Sequence, residues 1–174
     1  RQRQMCIRDR IKARLDYMIS ELKRCQDAAG DGYLCGVPNG RKMWKKIEEG
    51  NTRASGFGLN DRWVPLYNIH KMYAGLRDAT LQTDSREAKE MLVKLTDWMI
   101  RLVSKLSDEQ IQDMLRSEHG GLNETFADVA AITGDKRYLK LAHQFSHHTV
   151  LQPLLRQEDK PVSYTHLTLP TNRE

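Results

Sequence analysis

The chain is poor in cysteine, and none of it has the spacing of a metal or redox motif. Three cysteines occur in 174 residues, Cys6, Cys25 and Cys35. With neither C-x-x-C nor C-x-x-H present, zinc-ribbon and thiol–disulfide chemistry are not signalled. H-E-x-x-H is also missing, which removes the zinc-protease reading. No apolar run approaches the roughly 18 residues of a membrane span, and no membrane partner is expected. Period-2 alternation is lacking as well, so no strand is predicted.

The basic balance is concentrated at the ends. Gln4–Arg10 reads QMCIRDR and Val162–Leu167 reads VSYTHL. Opposite strands of one short DNA can encode both: CAG ATG TGT ATA AGA GAC AG gives the first, and its reverse complement gives the second. Residues 1–10 and 161–174 are therefore expected to be translated sequencing-adapter DNA, outside the fold. These ends hold five of the 28 Lys and Arg and two of the 23 Asp and Glu, so the net charge falls from +5 to +2 over residues 11–160. No basic patch remains to suggest a nucleic-acid partner. Cys6 goes with the first end, and Cys25 and Cys35 read as free thiols.

Apolar residues across 11–160 recur mainly at helical spacing. Ile11, Leu15, Met18, Leu22 and Cys25 form a stripe that predicts a first helix ending before Ala29. From Gly30 to Arg62 an irregular stretch holds seven Gly and one Pro with regularly placed aromatic or apolar residues. It reads as an ordered excursion with one short helix near residues 41–49. A helix over 65–82 opens on Pro65, and the next carries Leu92, Leu95, Met99 and Leu102 behind a cap at Asp84 with Glu87. Ser107 and Gln110 form a second capping box. A fifth helix spans Leu122–Thr133, Gly134 closes it and Asp135 caps a sixth over 136–151, stopped by Pro153. The expected class is all-α: antiparallel helical hairpins, each exposed where another would stack. Gly75 inside a helix suggests close approach of a neighbour.

Few residues carry chemistry. His70 shares a helix face with Leu66 and Tyr73, where an inward histidine is more often core than ligand. Ser117–Glu124 reads SEHGGLNE, a glycine-freed loop at a helix start. Glu118, His119, Asn123 and Glu124 could together bind a polyol there, or Asn123 and Glu124 could simply cap the helix. His143 and His147 are four apart on the expected sixth helix, with no third ligand nearby in sequence, and read as a solvated pair. Asp31 and Tyr33 suit either a turn with a packed aromatic or a sugar-binding aromatic.

In order along the chain, DGYLCGVPNG, WVPLYNIHKMYAGLRDA and EHGGLNETFADVAAITGDKRYLKLAHQFSHHTVLQPL resemble the N-terminal part of bacterial β-L-arabinofuranosidase-like glycoside hydrolases of families 127 and 146. The resemblance covers 11–160. It implies about half of an (α/α)6 toroid, a carbohydrate partner (L-arabinofuranosides of plant glycans) and substrate-binding roles for His70 and His119. It also implies zinc in the full-length parent, with a cysteine nucleophile on the metal and a glutamate acid/base. All of these lie later in the family's chain, and Cys25 and Cys35 do not match them. Residues 11–160 are thus expected to carry no catalytic residue, to bind no metal and to be inactive alone. The other expectations are a different toroid carbohydrate enzyme, of unsaturated glucuronyl hydrolase or sugar epimerase type, or a non-catalytic helical scaffold. The family has exported and cytoplasmic members, so no compartment follows.

Overall fold

The computed structural model describes residues 2–158; the end read as adapter-derived, 161–174, lies outside the described residues. Eight helices and a small three-stranded ribbon are seen there: α1 (Gln2–Ala29), α2 (Gly40–Glu48), β1 (Ala54–Ser55), β2 (Gly58–Leu59), β3 (Arg62–Trp63), α3 (Pro65–Thr83), α4 (Arg86–Val103), α5 (Asp108–Met114), α6 (Leu122–Thr133), α7 (Lys136–Gln144) and α8 (His148–Leu155). Two hairpins, α3–α4 and α6–α7, pack on one another through α3 and α6, while α1 and α2 lie on α4. The all-α expectation holds, and α1 begins at Gln2, within the segment read as adapter-derived.

Three aromatic rings fill the seam between the hairpins. Phe126 of α6 meets Tyr73 of α3 and Phe145 edge-on, each at a centroid distance of 5.1 Å. All three are fully buried. Tyr73 adds a polar tie, its hydroxyl donating to the Leu95 carbonyl at 2.8 Å. Burial lifts its pKa well above the usual phenol range, so it stays a donor.

The turn chemistry follows the sequence closely at three ends. Ser107 and Gln110 close the expected capping box, Gly134 takes the left-handed conformation after α6 at φ 75°, and the Asp135 carboxylate accepts from the Arg137 amide at 2.8 Å. A fourth end differs. Ser85, rather than Asp84, caps α4 by accepting from the Ala88 amide, because Asp84 is already used in a left-handed conformation to end α3.

Four further expectations are corrected. The inward stripe of α1 is Leu15, Ile19, Leu22 and Gln26; Ile11 and Met18 are about 60 % exposed and Cys25 is exposed. A polar residue in the buried stripe hid it: Gln26 donates from Nε2 to the carbonyls of Gly32 and Met91. Residues 54–63 contain three antiparallel strands of two residues each, too short to show a period. Their second turn, Asn60–Asp61, has both residues at positive φ, as a type I′ hairpin requires. The sixth helix is broken at Phe145–His147, and Pro153 lies inside α8 instead of ending the preceding helix.

Gly75 is exposed, and nothing would meet a Cβ built on it. Its expected helix neighbour is therefore absent among the described residues. Gly75→Ala should stabilise the chain by about 1 kcal/mol, the helix-propensity difference, read as a higher urea midpoint with unchanged m-value.

The aromatic excursion is anchored rather than open. Tyr33, Trp44 and Trp98 pack with centroids 4.9–6.4 Å apart and all three are buried. Asp31 accepts from the Tyr33 amide and pairs with Arg41 at 2.8 Å. Asp31 thus shapes a turn and Tyr33 is a packed aromatic, and both also line a cavity of about 220 Å³ with Arg41 and Trp44.

Candidate functional site

The site is built where the loop before α6 crosses α3. Ser117 is buried, and its hydroxyl donates to the Met114 carbonyl at 2.8 Å. The Glu118 amide donates to the Gly56 carbonyl at 3.0 Å, tying the loop to the ribbon turn. Gly120 then takes a left-handed conformation, φ 60°, and Gly121 starts α6.

The paired glycines let this loop lie on the His70 ring. A Cβ on Gly121 would come within 3.3 Å of His70 Nε2, and one on Gly120 would collide with Nδ1 and the ring carbon beside it. The sequence suggests backbone freedom at a ligand site for these glycines; close approach to an imidazole is what the geometry requires. His70 is half-buried, and its Nδ1 has no hydrogen-bond partner.

His119 follows a different rule. Its Nδ1 lies 3.0 Å from the Ser117 carbonyl. A carbonyl can only accept, so Nδ1 carries the proton and Nε2 of the neutral ring is left as an acceptor. A cleft of about 340 Å³ opens here, lined by Glu118, His119, Gly120, Asn123, His147, Val150 and Leu151. His70 is not among its lining residues. It adjoins the cleft through Gly120, which touches the ring and lines the space.

Neither Asn123 nor Glu124 caps α6. Glu124 accepts from Arg77 at 3.4 Å, and the same guanidinium reaches Asp128 at 2.9 Å. That leaves Asn123 as an amide on the cleft wall. His143 is exposed as expected, but His147 is not its solvated partner. The helix break turns His147 toward His119, where the two rings meet edge-on at 5.3 Å and an interplanar angle of 85°. Sequence reasoning missed this contact because a 3.6-residue period assumes one unbroken helix.

Burial lowers the pKa of His70, with Lys71 adding repulsion, and burial lowers that of His147, with His119 adding repulsion. Each ring is therefore a weaker base folded than unfolded. Above the unfolded value, near 6.5, both states are neutral and stability is flat. Below it the unfolded chain takes up protons first, so stability should fall until the lowered folded values are passed. Urea midpoints between pH 8 and 5 check this, and His70→Gln should give the shallower decline.

The donor set does not fit zinc. Among the described residues no group of three His, Cys, Asp or Glu side chains converges. Burial also raises the Cys35 pKa, which keeps that thiol protonated. A cavity of about 350 Å³ between α1 and α4 is lined by charges already engaged: Lys94 pairs with Asp27, and Arg101 donates to the Asp31 carbonyl.

Two imidazoles, an amide and a carboxylate thus line a small, partly apolar cleft beside the helical hairpins. Among the described residues no helix is long and apolar enough to cross a membrane. A family model described as the β-L-arabinofuranosidase, GH127 catalytic domain, matches residues 5–168, and the chain belongs to that glycoside hydrolase family. The match runs into both ends read as adapter-derived. Comparison with curated proteins finds no match.

Proposed function

We propose that this chain supplies one wall of the sugar pocket of a retaining glycoside hydrolase acting on L-arabinofuranosides, as the N-terminal part of an α/α toroid. The loop at His119–Gly121 carries the proposal, because it holds an imidazole acceptor at a cleft and closes on a second imidazole, His70. A sugar hydroxyl donates to His119 Nε2, and the Asn123 amide and Glu118 carboxylate, which also line the cleft, offer further donors and acceptors. His70, whose charged form burial disfavours, supports the loop from beneath Gly120 and Gly121, and its substrate-binding role is proposed through that support.

A retaining mechanism needs a nucleophile and an acid/base on opposite sides of the bond. Glu118 is the one carboxylate among the cleft residues, and no thiol joins it. In this reading the nucleophile, the acid/base and the zinc that the family resemblance implies are assigned to residues of the parent enzyme outside 11–160.

Calorimetric titration with methyl β-L-arabinofuranoside tests this reading. Wild-type chain should bind, and His119→Ala should weaken binding by roughly fivefold or more, the usual effect of leaving a buried hydrogen-bonding group unmet. Turnover of the glycoside by this chain alone would contradict the assignment of the catalytic pair to other residues.

A further inference from the structure

One side chain bridges the break between α7 and α8. Gln112 of α5 donates from Nε2 to the carbonyls of Gln144 at 3.1 Å and Ser146 at 3.0 Å, and its Oε1 accepts from the His148 amide at 2.9 Å. Ending one helix and starting another leaves backbone groups unpaired, and the primary amide satisfies three of them with its two donor hydrogens and its oxygen. His147 sits at the centre of this clamp. It is the N-cap of α8, yet its side chain makes no capping bond. Its Nδ1 is buried without a partner. Its ring instead packs edge-on against His119 on the wall of the same cleft.

Ser, Thr, Asp and Asn side chains at an N-cap turn back to their own helix. His147 does not, and with its buried Nδ1 unmet its ring makes the contact with His119. His119 is otherwise held by one hydrogen bond, at Nδ1. One bond allows the ring to swing about it, whereas an edge contact against the ring fixes the plane.

We infer that His147, set in place by Gln112, is a positioning residue that holds the His119 ring in the orientation presenting Nε2 to a ligand in the cleft. The functional part of this inference rests on the sugar-pocket reading above; the conformational part does not. Aromatic edge contacts carry enough energy for loss of this one to weaken ligand binding by about two- to tenfold.

The test uses the 174-residue chain, with the His119 tautomer read from imidazole nitrogen shifts by long-range NMR correlation and affinity read by titration with methyl β-L-arabinofuranoside. Two substitutions that both fill the space separate ring from bulk. His147→Phe keeps an aromatic edge and should preserve the Nδ1–H tautomer and keep affinity within about twofold of wild type. His147→Leu should give averaged tautomer shifts and the weaker binding. Gln112→Ala should resemble His147→Leu although it leaves every cleft residue unchanged. A purely structural role would lower stability without changing the tautomer signature. The inference is overturned if His147→Leu retains the wild-type tautomer, or if Phe and Leu behave alike. If no variant or wild-type chain binds the glycoside while the tautomer still responds to His147→Leu, the positioning stands and the sugar reading fails. If His119→Ala loses binding while His147→Leu changes neither readout, the sugar reading stands and the positioning fails.

Discussion

Gly120→Ala should destabilise the chain by about 2–6 kcal/mol and remove glycoside binding. Two costs combine: a non-glycine residue at positive φ is strained by about 1–3 kcal/mol, and overpacking a filled site adds about 1–3 kcal/mol. Both apply because Gly120 has φ 60° and its Cβ would strike the His70 ring. Gly134 provides the control, with φ 75° and nothing within 4 Å of a Cβ, so Gly134→Ala should cost only the backbone strain, about 1–3 kcal/mol. Adding His70→Ala to Gly120→Ala should recover the clash portion and leave the strain. Urea unfolding of the four chains gives these differences. Equal costs at Gly120 and Gly134 would show that His70 does not crowd the loop.

Phe126→Ala should cost about 3–5 kcal/mol, in the range for truncating a fully buried aromatic. Phe126 joins the hairpins by meeting Tyr73 on one side and Phe145 on the other. Phe145 immediately precedes the Ser146–His147 break. The cavity therefore weakens the hairpin seam and also the segment that carries His147 to the cleft. The expected readouts are a large drop in urea midpoint and line broadening at His147 that the remote Gly134→Ala does not produce.

Local rules explain which parts of this architecture are legible from residues alone. Caps at Ser107 and Asp135 and the glycine stop at Gly134 are short-range devices, and a reader of sequence finds them because donor and acceptor lie within a few positions. The register of α1 is not local. Gln26 is buried because it serves Gly32 and Met91, the latter 65 residues away, so hydrophobic period alone finds Leu15 and Leu22 but rotates the rest of the face. The ribbon at 54–63 escapes for the opposite reason, since two-residue strands are shorter than any pattern. At the site, His70 and His119 were legible as candidates through the motifs around them. Their common neighbour Gly120 explains why they belong together, and that is visible only in three dimensions. His147 was hidden by a helix break that depends on Gln112, 32 residues before the first carbonyl it binds.

The family assignment rests on a match over residues 5–168, and the sugar site proposed above is the cleft at His119–Gly121. Amide and imidazole chemical-shift mapping during titration with methyl β-L-arabinofuranoside tests that location most directly. Saturable shifts should concentrate at His119, Gly120, Asn123 and His147. Absence of saturable shifts, or shifts confined to the charged cavity between α1 and α4, would contradict the assignment of this cleft as the sugar site.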